Sequence, residues 1–171
     1  SSLSSCARWG AGRWPRAHAR DRHLVAVCAP SGHVPGTQPR RRNALIFIAR
    51  HDLQRALVSL QFAVTRSPRI VDLDIGGHGD IPWSCTDLAL LDDGDLLASA
   101  VLEDTRDAYE DGACLGSALV RLAPDGTLRW HRRLDTNSKV EGVAVVGETA
   151  WLVSDADDRA VPSQLLRATL A

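Results

Sequence analysis

The sequence predicts an all-β fold assembled from repeated antiparallel sheets. Two segments carry that prediction, because Asp87–Asp104 (DLALLDDGDLLASAVLED) and Val140–Asp158 (VEGVAVVGETAWLVSDADD) follow one plan: an acid, a short apolar strand, a tight turn, a second apolar strand, and acids again. A fainter third copy is legible in His23–Gly32 (HLVAVCAPSG), where only the second strand survives. Each copy is followed by a further strand-like run, Asn43–Ala49, Gly116–Leu122 and Ser163–Leu170. The two clear copies lie about 50 residues apart, the length of one four-stranded propeller blade and too long for a leucine-rich or hexapeptide repeat. The expectation is a partial β-propeller of about two and a half to three blades, incomplete at the N-terminus, with blades over 23–75, 83–135 and 139–171.

Residues 1–22 hold Ser, Ala, Gly, Arg and Trp without a period of 2 or 3.6, and are read as a disordered or non-native arm preceding the propeller fragment of 23–171. Leu24–Ala29 is a short strand ended by Pro30-Ser31-Gly32, and Pro35, Gly36 and Pro39 punctuate the loop that follows. Asn43–Ala49 is a buried strand. Asp52–Phe62 leaves two alternatives: a strand, or a helix capped by Asp52 with Leu53, Ala56, Leu57 and Leu60 on one face. Arg69–Ile75 alternates, placing Val71, Leu73 and Ile75 on an apolar face. Gly76, Gly77, Gly79 and Pro82 read as a linker. In the next copy Asp92-Asp93-Gly94 and Ala123-Pro124-Asp125-Gly126 are turn signals, since Pro presets φ and Gly accepts φ > 0. Thr127–Leu134 then sets Leu128, Trp130 and Leu134 against Arg129, His131 and Arg133, the pattern of an exposed fourth strand. The last copy has three strands.

Composition bounds the partners. The chain has 171 residues, a net charge of −1 and 44% hydrophobic residues, ordinary values for a globular domain. No basic excess points to nucleic acid or a membrane surface, and no apolar run approaches the roughly 20 residues of a membrane helix. The four cysteines, Cys6, Cys28, Cys85 and Cys114, show neither CxxC pairing nor zinc spacing and read as free thiols. There is no methionine, and Lys139 is the single lysine among twenty basic residues. The missing start reads as a fragment, so any targeting segment would precede Ser1 and no compartment follows. The arginine bias points to a GC-rich coding sequence.

Chemistry is expected where the strand ends crowd a channel mouth. Asp87 and Glu141 lead the innermost strands, while Glu103, Asp104, Asp155, Asp157 and Asp158 end the second strands. Carboxylates gathered at one rim repel unless a cation neutralises them, and calcium prefers such oxygen ligands. Asp87, Glu103, Glu141 and Asp155 are therefore the candidate calcium ligands; the alternative is that they cap turns through backbone amides. The loop Glu103–Gly112 matches a calcium loop only at Asp107, Asp111 and Gly112. Arg41 and Arg42, in the one basic run, and Lys139 are candidate contacts for an anionic small molecule, with a solvated strand start as the alternative. Ser31 and His33 lack the elbow motif of a nucleophile pair.

The string KVEGVAVVGETAWLVSDADDRAVPSQLLRATL (Lys139–Leu170), together with TDLALLDDGDLLASAVLED (Thr86–Asp104), YEDG and GSALVRL, resembles the closing blades of bacterial β-propeller proteins of unassigned activity. Those are similar in turn to esterase-like phytase and EGL-type propellers. The resemblance spans roughly Leu24 to Ala171. It implies a six- or seven-bladed ring whose channel acids, here Asp87 and Glu141, bind calcium with a phosphorylated or sugar-like ligand. The expected function is thus a small-molecule or phosphoester-binding propeller, in its catalytic form a calcium-dependent hydrolase, with a non-catalytic scaffold as the alternative.

Overall fold

The computed structural model describes residues 24–31, 42–61, 68–104, 113–156, 158 and 160–170, and for 24–31 and Arg42 the backbone alone. Among them the chain forms three antiparallel sheets. The first joins β1 (Leu24–Ser31), β2 (Arg42–Ala49) and β3 (Arg69–Leu73). The second joins β4 (Gly77–His78), β5 (Ile81–Leu90), β6 (Leu96–Asp104), β7 (Ala113–Leu122) and β8 (Leu128–Arg133), and it is curled. The third joins β9 (Lys139–Val146), β10 (Thr149–Asp155) and β11 (Leu165–Thr169). The helix α1 (Arg50–Ser59) follows β2 directly. The expected arm of 1–22 lies outside the described residues.

The sheets stack face to face with the second in the middle. Alternate residues of its strands point to opposite faces. Leu96, Ala98, Ala100 and Leu102 of β6 and Ala118, Val120 and Leu122 of β7 pack with Leu45, Phe47 and Leu73 of the first sheet. Leu97 and Leu119, on the other face, pack with Val140, Val143, Ala150 and Leu152 of the third. Double burial explains why β6 reads LLASAVL without a polar alternation, whereas β10 alternates buried and exposed along its length. Each leucine so buried contributes about 1.5–3 kcal/mol.

The two junctions between sheets use the same device. Asn43, at the start of β2, donates from Nδ2 to the Trp83 carbonyl at 2.8 Å and accepts from the Cys85 amide at 2.8 Å. Ser117 of β7 donates to the Ser138 carbonyl at 2.7 Å and accepts from the Val140 amide at 3.0 Å. In both cases one side chain of the third strand-like run grips residues n and n+2 of the strand leading the next sheet. Both leading strands then bulge, at Thr86 opposite Ala100 and Ser99, and at Glu141 opposite Ser154 and Val153. β5 runs beside β1 and touches β2, as β9 runs beside β6 and touches β7.

Most strands fall where periodicity places them, with Leu73 and Ile75 buried and Val71 packed beside them. Both glycine turns form: Gly94 (φ 91°) and Gly126 (φ 89°) donate to the carbonyls of Leu91 and Ala123. Gly126 also abuts β3, where an added Cβ would come within 2.6 Å of Val71 Cγ1. Three readings change. The 52–62 segment takes its helical alternative, but Ala49 is the N-cap and Asp52 sits in the first turn, buried and paired with Arg55 (2.6 Å) and His51 (3.2 Å). The expected apolar face is not buried, because Leu57 and Leu60 point to solvent and packing falls on the ion pair instead. The glycine linker forms a small hairpin, β4 on β5, since Gly77 can approach the Ile81 carbonyl where a Cβ would sit at 2.5 Å.

Replacing Asn43 by Ala strands the buried Cys85 amide and Trp83 carbonyl at once. The expected cost is about 2–4 kcal/mol, read as a lowered urea midpoint with unchanged slope.

Candidate functional site

The ends of β6 and β9 bring two of the candidate acids to the single lysine, and the end of β10 sets a third opposite it in register. Lys139 opens β9 directly opposite Asp155, the last residue of β10. Its Nζ lies 2.9 Å from Glu103 Oε1 and 3.3 Å from Glu141 Oε1. Lys139 and Glu103 side chains are only 12% and 8% exposed, so this pair is largely withdrawn from water, while Glu141 is more open. The Ser117 clamp holds the chain entering β9 and so fixes where Lys139 projects.

A cleft of about 390 Å³ opens beside this group, lined by Cys114, Ser138, Lys139, Ser154, Asp155 and Gln164 among others. Its polar wall is internally bonded. Ser154 Oγ accepts from the Gln164 amide at 3.0 Å, and Ser138 Oγ lies 2.9 Å from Gln164 Oε1. Two carboxylates, those of Glu103 and Glu141, lie within 3.3 Å of the one ammonium, and Asp155 stands opposite Lys139 across the strand pair.

Asp87 is engaged elsewhere. Its Oδ1 accepts from the Leu88 amide at 2.7 Å and its Oδ2 from the Val143 amide at 2.9 Å, tying β5 to β9. Thr86 adds to that seam by donating to the Val140 carbonyl at 2.8 Å and bonding Ser99 Oγ at 2.8 Å. The bulges shift the register by one, so Thr86, not Asp87, occupies the place of Glu141. Reading both acids as leaders of equivalent strands misses this, because a bulge leaves no mark in an apolar pattern. Burial pushes the Asp87 carboxyl above its ordinary 3.8, against the two amides that favour the anion.

Among the described residues no three His, Cys, Asp or Glu side chains are grouped to hold a metal ion. Arg41, Ser31's side chain, His33 and the loop 105–112 lie outside the described residues, as does the side chain of Arg42. Cys85 and Cys114 are free thiols, Cys85 buried. His131 packs on Trp83 with ring centroids 4.9 Å apart, and burial lowers its pKa.

Residues 35–159 match a family of unknown function, DUF6910. The chain belongs to the DUF6910 family. Its matched span includes Asn43, Ser117, Lys139 and all four candidate acids, while Gln164 of the cleft wall lies beyond it. No curated protein and no solved structure matches the chain.

Replacing Lys139 by Met leaves Glu103 buried without its cation, with an expected loss of about 3–5 kcal/mol; adding Glu103→Gln should recover most of it in a denaturant cycle. Asp87 gives a pH test. Because its folded pKa is raised, the protonated form is favoured on folding, and that contribution is lost as pH climbs from 3.8 through the folded value. The destabilisation caused by Asp87→Asn should therefore be larger at acid than at neutral pH.

Proposed function

We propose that this DUF6910 chain is a non-catalytic binding module built from successive propeller blades, and that the cleft beside Lys139 takes a small cationic or hydroxyl-rich ligand. The blade reading is supported by the recurring clamp and bulge at both sheet junctions and by β5 and β9 leading their sheets alike.

One observation carries the choice against a calcium-dependent hydrolase: the Lys139 ammonium stands between Glu103 and Glu141, supplying the positive charge a metal would otherwise bring. Two acids at hydrogen-bond distance already neutralise it, so it serves poorly as a phosphate anchor. The approach of Glu103 and Glu141 to one point favours the second reading, a calcium-assisted phosphoesterase resembling the phytase-like propellers, in which an ion displaces the lysine from these acids.

Thermal melts with and without millimolar calcium separate the two. The binding module should melt unchanged and leave p-nitrophenyl phosphate intact. A rise of roughly 5–10 °C, as expected for an ion present at about 100 times its Kd, would overturn the proposal if Glu141→Gln abolished it.

A further inference from the structure

β8 is the edge of the middle sheet, bonded on one side to β7, and among the described residues no strand pairs with its other side. Leu128, Arg129, Arg132 and Arg133 are exposed, so the strand has two inner side chains to hold it. Trp130 packs with the cluster shared with the third sheet. His131 lies opposite Val120 of β7 and turns to the other face, where its ring meets Trp83 at 4.9 Å between centroids.

The surroundings of that imidazole suit its neutral form. Nε2 is buried and has no hydrogen-bond partner among the described residues. The cluster on this face draws on β2, β3, β5, β6 and β7, and its one titratable member is the Cys85 thiol of β5. Flanking charges on β8 itself are cations, Arg129 and Arg133, and they are directed to Asp95 and to the Leu115 carbonyl. From β3, Arg69 stands over the Phe47 ring, and Asp74 just beyond that strand accepts from the Gly76 amide. Burial therefore lowers the His131 pKa from its ordinary 6.5, with no carboxylate paired to it among the described residues to oppose the shift.

The strand fastened by this ring runs into the junction with the third sheet. Leu134, just past β8, donates its amide to the Ser117 carbonyl at 2.8 Å, and the Ser117 hydroxyl grips Ser138 and Val140. One residue thus ties the end of β8 to the start of β9. We infer that His131 is an acid-sensitive latch: on taking a proton its ring leaves Trp83 for water, and β8 loosens together with the Ser117 grip on β9. The proton comes from solvent and makes both ring nitrogens donors, one of which meets no acceptor where it stands. Released, the ring titrates near 6.5; held, it titrates lower. The latch is closed at neutral pH, and its contribution is lost as pH falls from 6.5 toward the lower folded value.

Hydrogen exchange of the folded chain at about pH 7.5 and 5.5, corrected for the intrinsic pH dependence of exchange, is the test. Protection of the β8 amides should fall up to roughly 10-fold relative to β10 on acidification, the limit for a group titrating at 6.5 when free. His131→Phe keeps a ring on Trp83 and takes no proton, so its β8 should show no such loss. His131→Gln repeats the comparison if circular dichroism finds the phenylalanine variant unfolded. Asp87 shifts stability with the opposite sign in acid, and the comparison with the variant cancels it. A parent whose β8 is equally protected at both pH values would overturn the latch, and so would an equal acid loss in the variants.

Discussion

The grip of one polar side chain on the strand that leads the next sheet is the constraint from which the rest of the architecture follows. Asn43 satisfies a carbonyl and an amide two residues apart in β5, and Ser117 does the same for the chain entering β9. Backbone groups at those junctions are buried, so leaving them unpaired would cost more than a hydrogen bond gains. Apolar faces alone would tolerate sliding of one sheet over another. The clamps remove that freedom, because a shift of one residue presents the wrong backbone groups and turns each apolar set to the wrong face.

With the stack registered, the middle sheet is buried on both sides and its strands can be apolar throughout. The same registration delivers the ends of β6, β9 and β10 to one place. Lys139 is there because Ser117 holds Ser138 and Val140 on either side of it. An ammonium so placed pairs with the Glu103 carboxylate in a site where 8% of that side chain meets water. The ion pair is thus a consequence of the junction, and the cleft inherits its charge balance from it.

The residues differ in how readily their roles could be read. Turns at Asp92-Asp93-Gly94 and Ala123-Pro124-Asp125-Gly126 are local events, set by φ preferences that two or three residues declare. The acids at the strand ends were legible as charges, and the structure brings two of them, Glu103 and Glu141, to one point. The cation among them was not, because Lys139 in a string reads only as an isolated charge. Asp87 reads in the sequence as a member of that rim, whereas its use as a seam between β5 and β9 depends on a bulge at Thr86 that no periodicity announces. Asn43 and Ser117 share no chemistry beyond a donor and an acceptor, so their common task is invisible until both are seen bonded to backbone.

What the sequence determined by itself is the all-β class and most of the strand and turn positions, since these rest on period-2 patterning and on residues that dictate their own backbone angles. The tertiary structure alone decided which acids meet, what neutralises them and which polar side chains join the sheets. Those outcomes depend on bulges and on contacts between strands tens of residues apart, where a displacement of a single residue exchanges one face for the other.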